Sequence, residues 1–102
     1  MLANEGRVAD RVPARSEFYG PAAGVVELPI WLCWSGDPVF DVADPVQRLT
    51  LYTTLIGDGK RGDLARWINW ELLTSDWPKI RRLTSRELIT SWETVLPTLA
   101  GL

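Results

Sequence analysis

The amino-acid sequence predicts a mainly α fold: a small three-helix domain preceded by an extended segment or edge strand and a mobile N-terminal arm. Three observations carry this. An Asp-Pro pair opens one apolar-periodic stretch and two glycines close it. A capping-box pattern opens another, which stops at a proline. Between them lies "RWINWELLTSDWP", Arg66 to Pro78, where three of the chain's six tryptophans fall within thirteen residues. At 102 residues the chain is one domain, and a domain this short buries only about 60–65% of its unfolded surface.

Residues 1–24 hold few large apolar groups, charges of both signs, and Pro13, Gly20, Pro21 and Gly24. They read as the arm, with the helical domain over residues 25–102. From Val25 to Trp34 a β-branched and aromatic run is interrupted by Pro29, and Glu27 and Pro29 suit the edge of a sheet. The first helix runs from about Pro45 to Ile56. Asp44 accepts from the free N–H groups of its first turn, Pro45 fits the first helical position, and Gly57 and Gly59 end it. The second spans Asp63 to Thr74. The third starts at Thr84, three residues before Glu87, and reaches Leu96 before Pro97.

The three helices differ in apolar breadth. Leu88, Ile89, Trp92, Val95 and Leu96 make an ordinary stripe on the third. On the first, Val46, Leu49, Leu51, Tyr52, Leu55 and Ile56 cover more than half the circumference, and on the second Leu64, Trp67, Ile68, Trp70, Leu72 and Leu73 point nearly everywhere. One reading is that these two helices serve both a core and a partner. Ile68 and Leu72 would then face inward, with Trp67, Trp70 or both projecting. The other is a compact domain whose arm folds back over the tryptophans.

Composition excludes much chemistry. With no histidine, no Ser-His or Cys-His pair can be built, and the single cysteine leaves no ordinary zinc site. Cys33, in the run "LPIWLCW", reads as a small buried hydrophobe. No signal peptide and no apolar run of about 20 residues is visible, so the expectation is a soluble cytoplasmic protein without membrane association or cofactor. Nine arginines against two lysines suggest a GC-rich bacterial gene.

Three short motifs have a possible chemical reading. Asp37, Asp41 and Asp44 in "GDPVFDVAD" have the types needed for a hard cation or a shared proton, yet Asp37 before Pro38 and Asp44 before Pro45 are also ordinary turn and cap placements. "GDGKRG" lacks the spacing of a phosphate-binding loop and reads as an inter-helix turn. The tripeptide Arg61 to Asp63 falls at a helix start and carries no further meaning.

Charge is segregated. From Glu27 to Asp58 five acids meet Arg48 alone, whereas from Lys60 to Arg86 seven bases meet three acids. The acidic half suits a basic protein partner. In the basic half Lys79, Arg81, Arg82 and Arg86 could touch phosphates, although the net charge of −2 makes direct nucleic-acid binding the weaker expectation.

The run from Leu28 to Pro78 resembles small actinobacterial antitoxins encoded beside AbiEii-like nucleotidyltransferase toxins, of the MenA/MenT kind. The residues that carry the resemblance are "LCWS" at Leu32 to Ser35, "FDVADP" at Phe40 to Pro45, "LYTTLI" at Leu51 to Ile56, "DLARWINWELL" at Asp63 to Leu73, and "WP" at Trp77. About half the chain is covered. The resemblance implies a non-enzymatic antitoxin that binds its toxin directly and stoichiometrically, with more than one toxin per antitoxin possible. Such toxins add nucleotides to the acceptor ends of tRNA. Related AbiEi antitoxins carry an N-terminal winged helix, which residues 1–24 cannot form, so promoter repression does not carry over.

Chemistry and pattern, not the resemblance, nominate the contacts. Trp67 and Trp70 would be the anchors, with Trp31, Trp34, Phe40 and Tyr52 around them and Asp37, Asp41 and Asp44 meeting basic groups. The alternative is a small nucleic-acid-binding regulator using Lys79, Arg81, Arg82 and Arg86. A carboxylate enzyme built on the three aspartates is the third possibility.

Overall fold

The computed structural model describes residues 8–32 and 36–102. Helix α1, Pro45–Asp58, begins as the sequence predicts and runs two residues further. Asp44 Oδ1 accepts from the Val46 N–H at 2.9 Å, and the Gly59 N–H closes the far end on the Leu55 carbonyl at 2.7 Å. The breadth of its apolar arc has an internal cause. Helix α1 packs against strand β2 (Val39–Asp41), helix α2 (Arg61–Trp67) and helix α3 (Trp70–Leu83), so Leu51, Tyr52, Leu55 and Ile56 are all fully buried. Val46 alone of the six remains exposed.

The expected helix from Asp63 to Thr74 is two helices. Ile68 and Asn69 are extended, and the helical phase restarts at Trp70. Asn69 is the reason. Its side chain accepts from the Leu72 N–H at 3.0 Å as the cap of α3, while its own N–H donates to the Tyr52 hydroxyl at 3.1 Å. A wheel drawn through residues 63–74 therefore misplaces every side chain after Ile68. Helix α3 runs on through Pro78, which supplies no N–H to the Thr74 carbonyl. Helix α4, Arg86–Val95, is capped by Ser85, one residue past the predicted Thr84. A short helix α5, Pro97–Ala100, follows and buries Leu99.

Strand β1, Val25–Glu27, pairs antiparallel with β2, placing Val26 opposite Phe40. Both strands bury only the central residue. The edge character expected near Glu27 is present, but its partner strand was not foreseen.

The largest correction concerns the described part of the expected arm, from residue 8 onward. Residues 8–11 are helical, Arg15–Glu17 form a 3₁₀ turn, and Val12 is buried in the core. The Tyr19 and Gly20 N–H groups donate to the carbonyls of Ala65 and Ile68 at 2.9 and 3.0 Å, and Arg61 pairs with Glu17. Gly20 meets the chain so closely that a Cβ there would lie 2.4–2.5 Å from backbone atoms of Trp67 and Ile68. Phe18 sets its ring 5.7 Å from that of Trp70 and 6.3 Å from that of Trp92. Residues 8–20 thus fold back over Trp70 and Trp92, as the second of the two readings expects, while Trp67 stays half-buried and Trp31 exposed. Trp92 in turn lies 6.1 Å from Trp77, whose indole N–H donates to Glu93 at 2.9 Å.

Candidate protein-docking surface

After β1 the chain makes a tight turn in which the Leu32 N–H donates to the Pro29 carbonyl at 2.9 Å. Leu28 and Leu32 are buried and pin the two ends of this turn. The two residues between Pro29 and Leu32 have nowhere to go but outward: Ile30 is 73% exposed and Trp31 69%. Together with Glu27, Leu28, Pro29, Asp63, Arg66 and half-buried Trp67, Trp31 lines an open groove of about 390 Å³. The Arg66 guanidinium stands 5.0 Å from the Trp67 ring centroid, covering one face of that indole.

Trp31 and Trp67 therefore share a surface, but Trp70 does not belong to it. Trp70 lies half-buried beneath Phe18 and the Arg15 guanidinium, 5.4 Å from its ring, and borders a separate cavity of about 390 Å³ reaching Val95 and Pro97. Phe40 and Tyr52, expected among the contacts, are core residues, 6% and 0% exposed, and present no ring to a partner. Burial pushes the Tyr52 hydroxyl above its ordinary pKa, against the opposing effect of the Asn69 N–H. Ile68 is fully buried as expected, whereas Leu72 is only half-buried. Trp34 and Cys33 lie outside the described residues.

The three aspartates act as turn-formers. Asp37 accepts from the Val39 N–H at 3.0 Å, Asp41 from the Ala43 N–H at 3.0 Å, and Asp44 from Val46. The Gln47 amide at 3.0 Å, with the Val46 N–H second, holds the Asp44 carboxyl below its ordinary pKa. Among the described residues no three Asp, Glu, Cys or His side chains are grouped to hold a metal ion.

On the basic side, Lys79, Arg81, Arg82 and Arg86 are exposed. Arg81 is engaged with Glu93 at 3.1 Å, and Arg81 and Arg86 share with that carboxylate, Thr84, Ile89 and Thr90 a cavity of about 520 Å³. The surface is thus not uniformly positive.

Sequence reasoning missed two features. Ile30 was not singled out, although Leu28 and Leu32 flanking a proline turn would have pointed to it. Asp76 was counted only as a charge, yet it is 5% exposed and forms an ion pair with Arg48. Among the described residues no helix is long and apolar enough to cross a membrane. In comparisons with known proteins, no protein-family model, no curated protein and no solved structure matches the chain.

Proposed function

We propose that the chain is a non-enzymatic antitoxin that neutralises a tRNA-modifying nucleotidyltransferase toxin by direct stoichiometric contact, in the cytoplasm. One observation carries this reading most: the outward Ile30-Trp31 pair beside the Trp67 groove. An exposed tryptophan such as Trp31 is among the side chains that most often anchor protein interfaces. Their surroundings suit such a partner. From Val25 to Gln47 the chain carries Glu27, Asp37, Asp41 and Asp44 and no base, and an enzyme acting on tRNA needs a basic cleft. The sequence resemblance to toxin-neighbouring antitoxins supports the same partner.

Co-expression with an AbiEii-like nucleotidyltransferase from the same genome tests the proposal. Affinity capture should return a complex of fixed stoichiometry with nucleotidyl transfer inhibited, and Trp31→Ala should lose about 2 kcal/mol or more of binding. A chain that stays monomeric beside a fully active enzyme would refute it. A second reading, a nucleic-acid-binding regulator, rests on exposed Lys79, Arg82 and Arg86. It requires affinity for duplex DNA that falls with salt at a slope of about 0.9 per phosphate contacted.

A further inference from the structure

The two strands treat their outer edges differently. In the β1–β2 pair the Leu28 N–H bonds the Pro38 carbonyl and the Val42 N–H bonds the Gly24 carbonyl, so the inward-facing groups on β1 alternate through Gly24, Val26 and Leu28. The backbone groups of Val25 and Glu27 therefore point away from β2. On β2 the corresponding outward N–H groups are closed by nearby side chains: Val39 donates to Asp37, just before the strand, at 3.0 Å, and Asp41 donates to Gln47 on α1 at 2.8 Å. Nothing among the described residues closes the edge at Val25 and Glu27, and both residues are exposed. An open strand edge is a template for another strand, and proteins normally blunt it as β2 does here.

We propose that the open edge of β1 receives an extended segment of a protein partner as a third strand, and that this segment alternates apolar and basic residues. The proposal rests on the reading of the chain as a partner-binding protein and specifies how the partner is held. Main-chain hydrogen bonds to Val25 and Glu27 supply the pairing, and alternate side chains of the incoming strand meet the flanking surface. That surface has two characters. The groove between Trp31 and Trp67 begins at Glu27 and accepts apolar side chains. Glu27 is exposed and among the described residues has no ion-pair partner, and Glu27 and Asp63 outnumber Arg66 along the same groove, a balance that favours lysine or arginine. A second copy of this chain fits less well, because its base-free strands bring further carboxylates to those already present.

The test follows backbone amide resonances of the isotope-labelled full chain while a short synthetic peptide alternating lysine and valine is added. The Val25 and Glu27 amides should shift first, and a peptide alternating glutamate and valine should leave them unmoved. Glu27→Pro removes one outward N–H at a site whose preceding residue is already extended, and should weaken the peptide by about tenfold. Glu27→Lys should weaken it too, and decides the matter if the proline variant does not fold. Shifts centred elsewhere, equal response to both peptides, or unchanged affinity in Glu27→Lys would overturn the proposal. So would a concentration-dependent dimer that protects the Val25 and Glu27 amides, since the edge would then belong to a second copy. Wild-type toxin capture by folded Glu27→Pro would remove the strand edge and leave the antitoxin reading standing. Peptide pairing at β1 without toxin capture would do the reverse.

Discussion

Arg48 on α1 and Asp76 on α3 form a buried two-point ion pair, Nε to Oδ2 at 2.7 Å and Nη2 to Oδ1 at 3.0 Å. The third arm of the guanidinium donates to the Val42 carbonyl at 2.9 Å, so one side chain joins α1, α3 and the end of β2. Hydrogen bonding to Asp76 raises the Arg48 pKa above its ordinary value. Arg48 is the sole base of the acidic half, and its partner is one of the three acids of the basic half.

Removing one partner leaves the other charged and uncompensated inside the protein. Arg48→Met should therefore cost about 3–5 kcal/mol, and the double variant Arg48→Met with Asp76→Leu should recover most of that loss. Urea unfolding of both single variants and the double variant measures the coupling.

The break between α2 and α3 depends on Asn69. Asn69→Ala should cost about 0.5–2 kcal/mol through loss of the cap on Leu72. Tyr52→Phe acts differently, stranding the Asn69 backbone N–H, and should cost about 1–3 kcal/mol. Denaturation midpoints give both values. Amide exchange should localise the Tyr52→Phe effect to Asn69.

Gly20 tests the docking of the N-terminal segment. On a mobile arm, Gly20→Ala would be neutral or slightly stabilising. Against the backbone of Trp67 and Ile68 it should cost about 1–3 kcal/mol and speed amide exchange at Tyr19 and Gly20. A calorimetric melt and an exchange series check the two outcomes.

Three tryptophans should separate binding from stability. Trp31→Ala should weaken partner binding while melting like wild type. Trp77→Ala should lose about 3–5 kcal/mol of stability because its ring is fully buried. Trp70→Ala should also melt early, since Phe18 and Arg15 pack on that indole. Thermal melts beside toxin affinity for each variant decide this.

Asp44 and Tyr52 each contribute to the pH dependence of stability. The folded carboxyl of Asp44 is held below its ordinary value of 3.8, so its contribution is whole above 3.8 and is lost as pH falls through the lowered folded value. Asp44→Asn should flatten that acid limb. Tyr52 is raised above 10.0 by burial, so folding favours its neutral form: stability is unaffected below that value and declines as pH rises beyond it. Urea midpoints across the acid and alkaline ranges should show both limbs, with Tyr52→Phe lacking the alkaline one.

Local signals were legible wherever the cause is local. Asp44, Pro45 and Gly59 bound α1 as their chemistry dictates, and Pro97 ends the helix before it. The break at Asn69 was hidden because the apolar pattern continues across it, and only the distant Tyr52 hydroxyl shows that its N–H is spent elsewhere. The arm looked unstructured because it is poor in large side chains. Its order comes instead from backbone hydrogen bonds at Tyr19 and Gly20 and from a few well-placed rings, which composition does not display. For the docking surface, Trp31 and Trp67 could be named from type alone. Which tryptophans share a face depends on the restarted helix.

The fold-back of the N-terminal segment also sets an order of events during synthesis. Gly20 must wait for Asn69, 49 residues later, before its carbonyl receives the side-chain amide that helps fasten it. At about 5–20 residues per second that interval is about 2–10 s. Throughout it, neither Trp70 nor Trp92 yet exists to receive the Phe18 ring. The N-terminal segment thus reaches these contacts only after the residues of α3 and α4 have been made, so its docking waits on the second half of the chain.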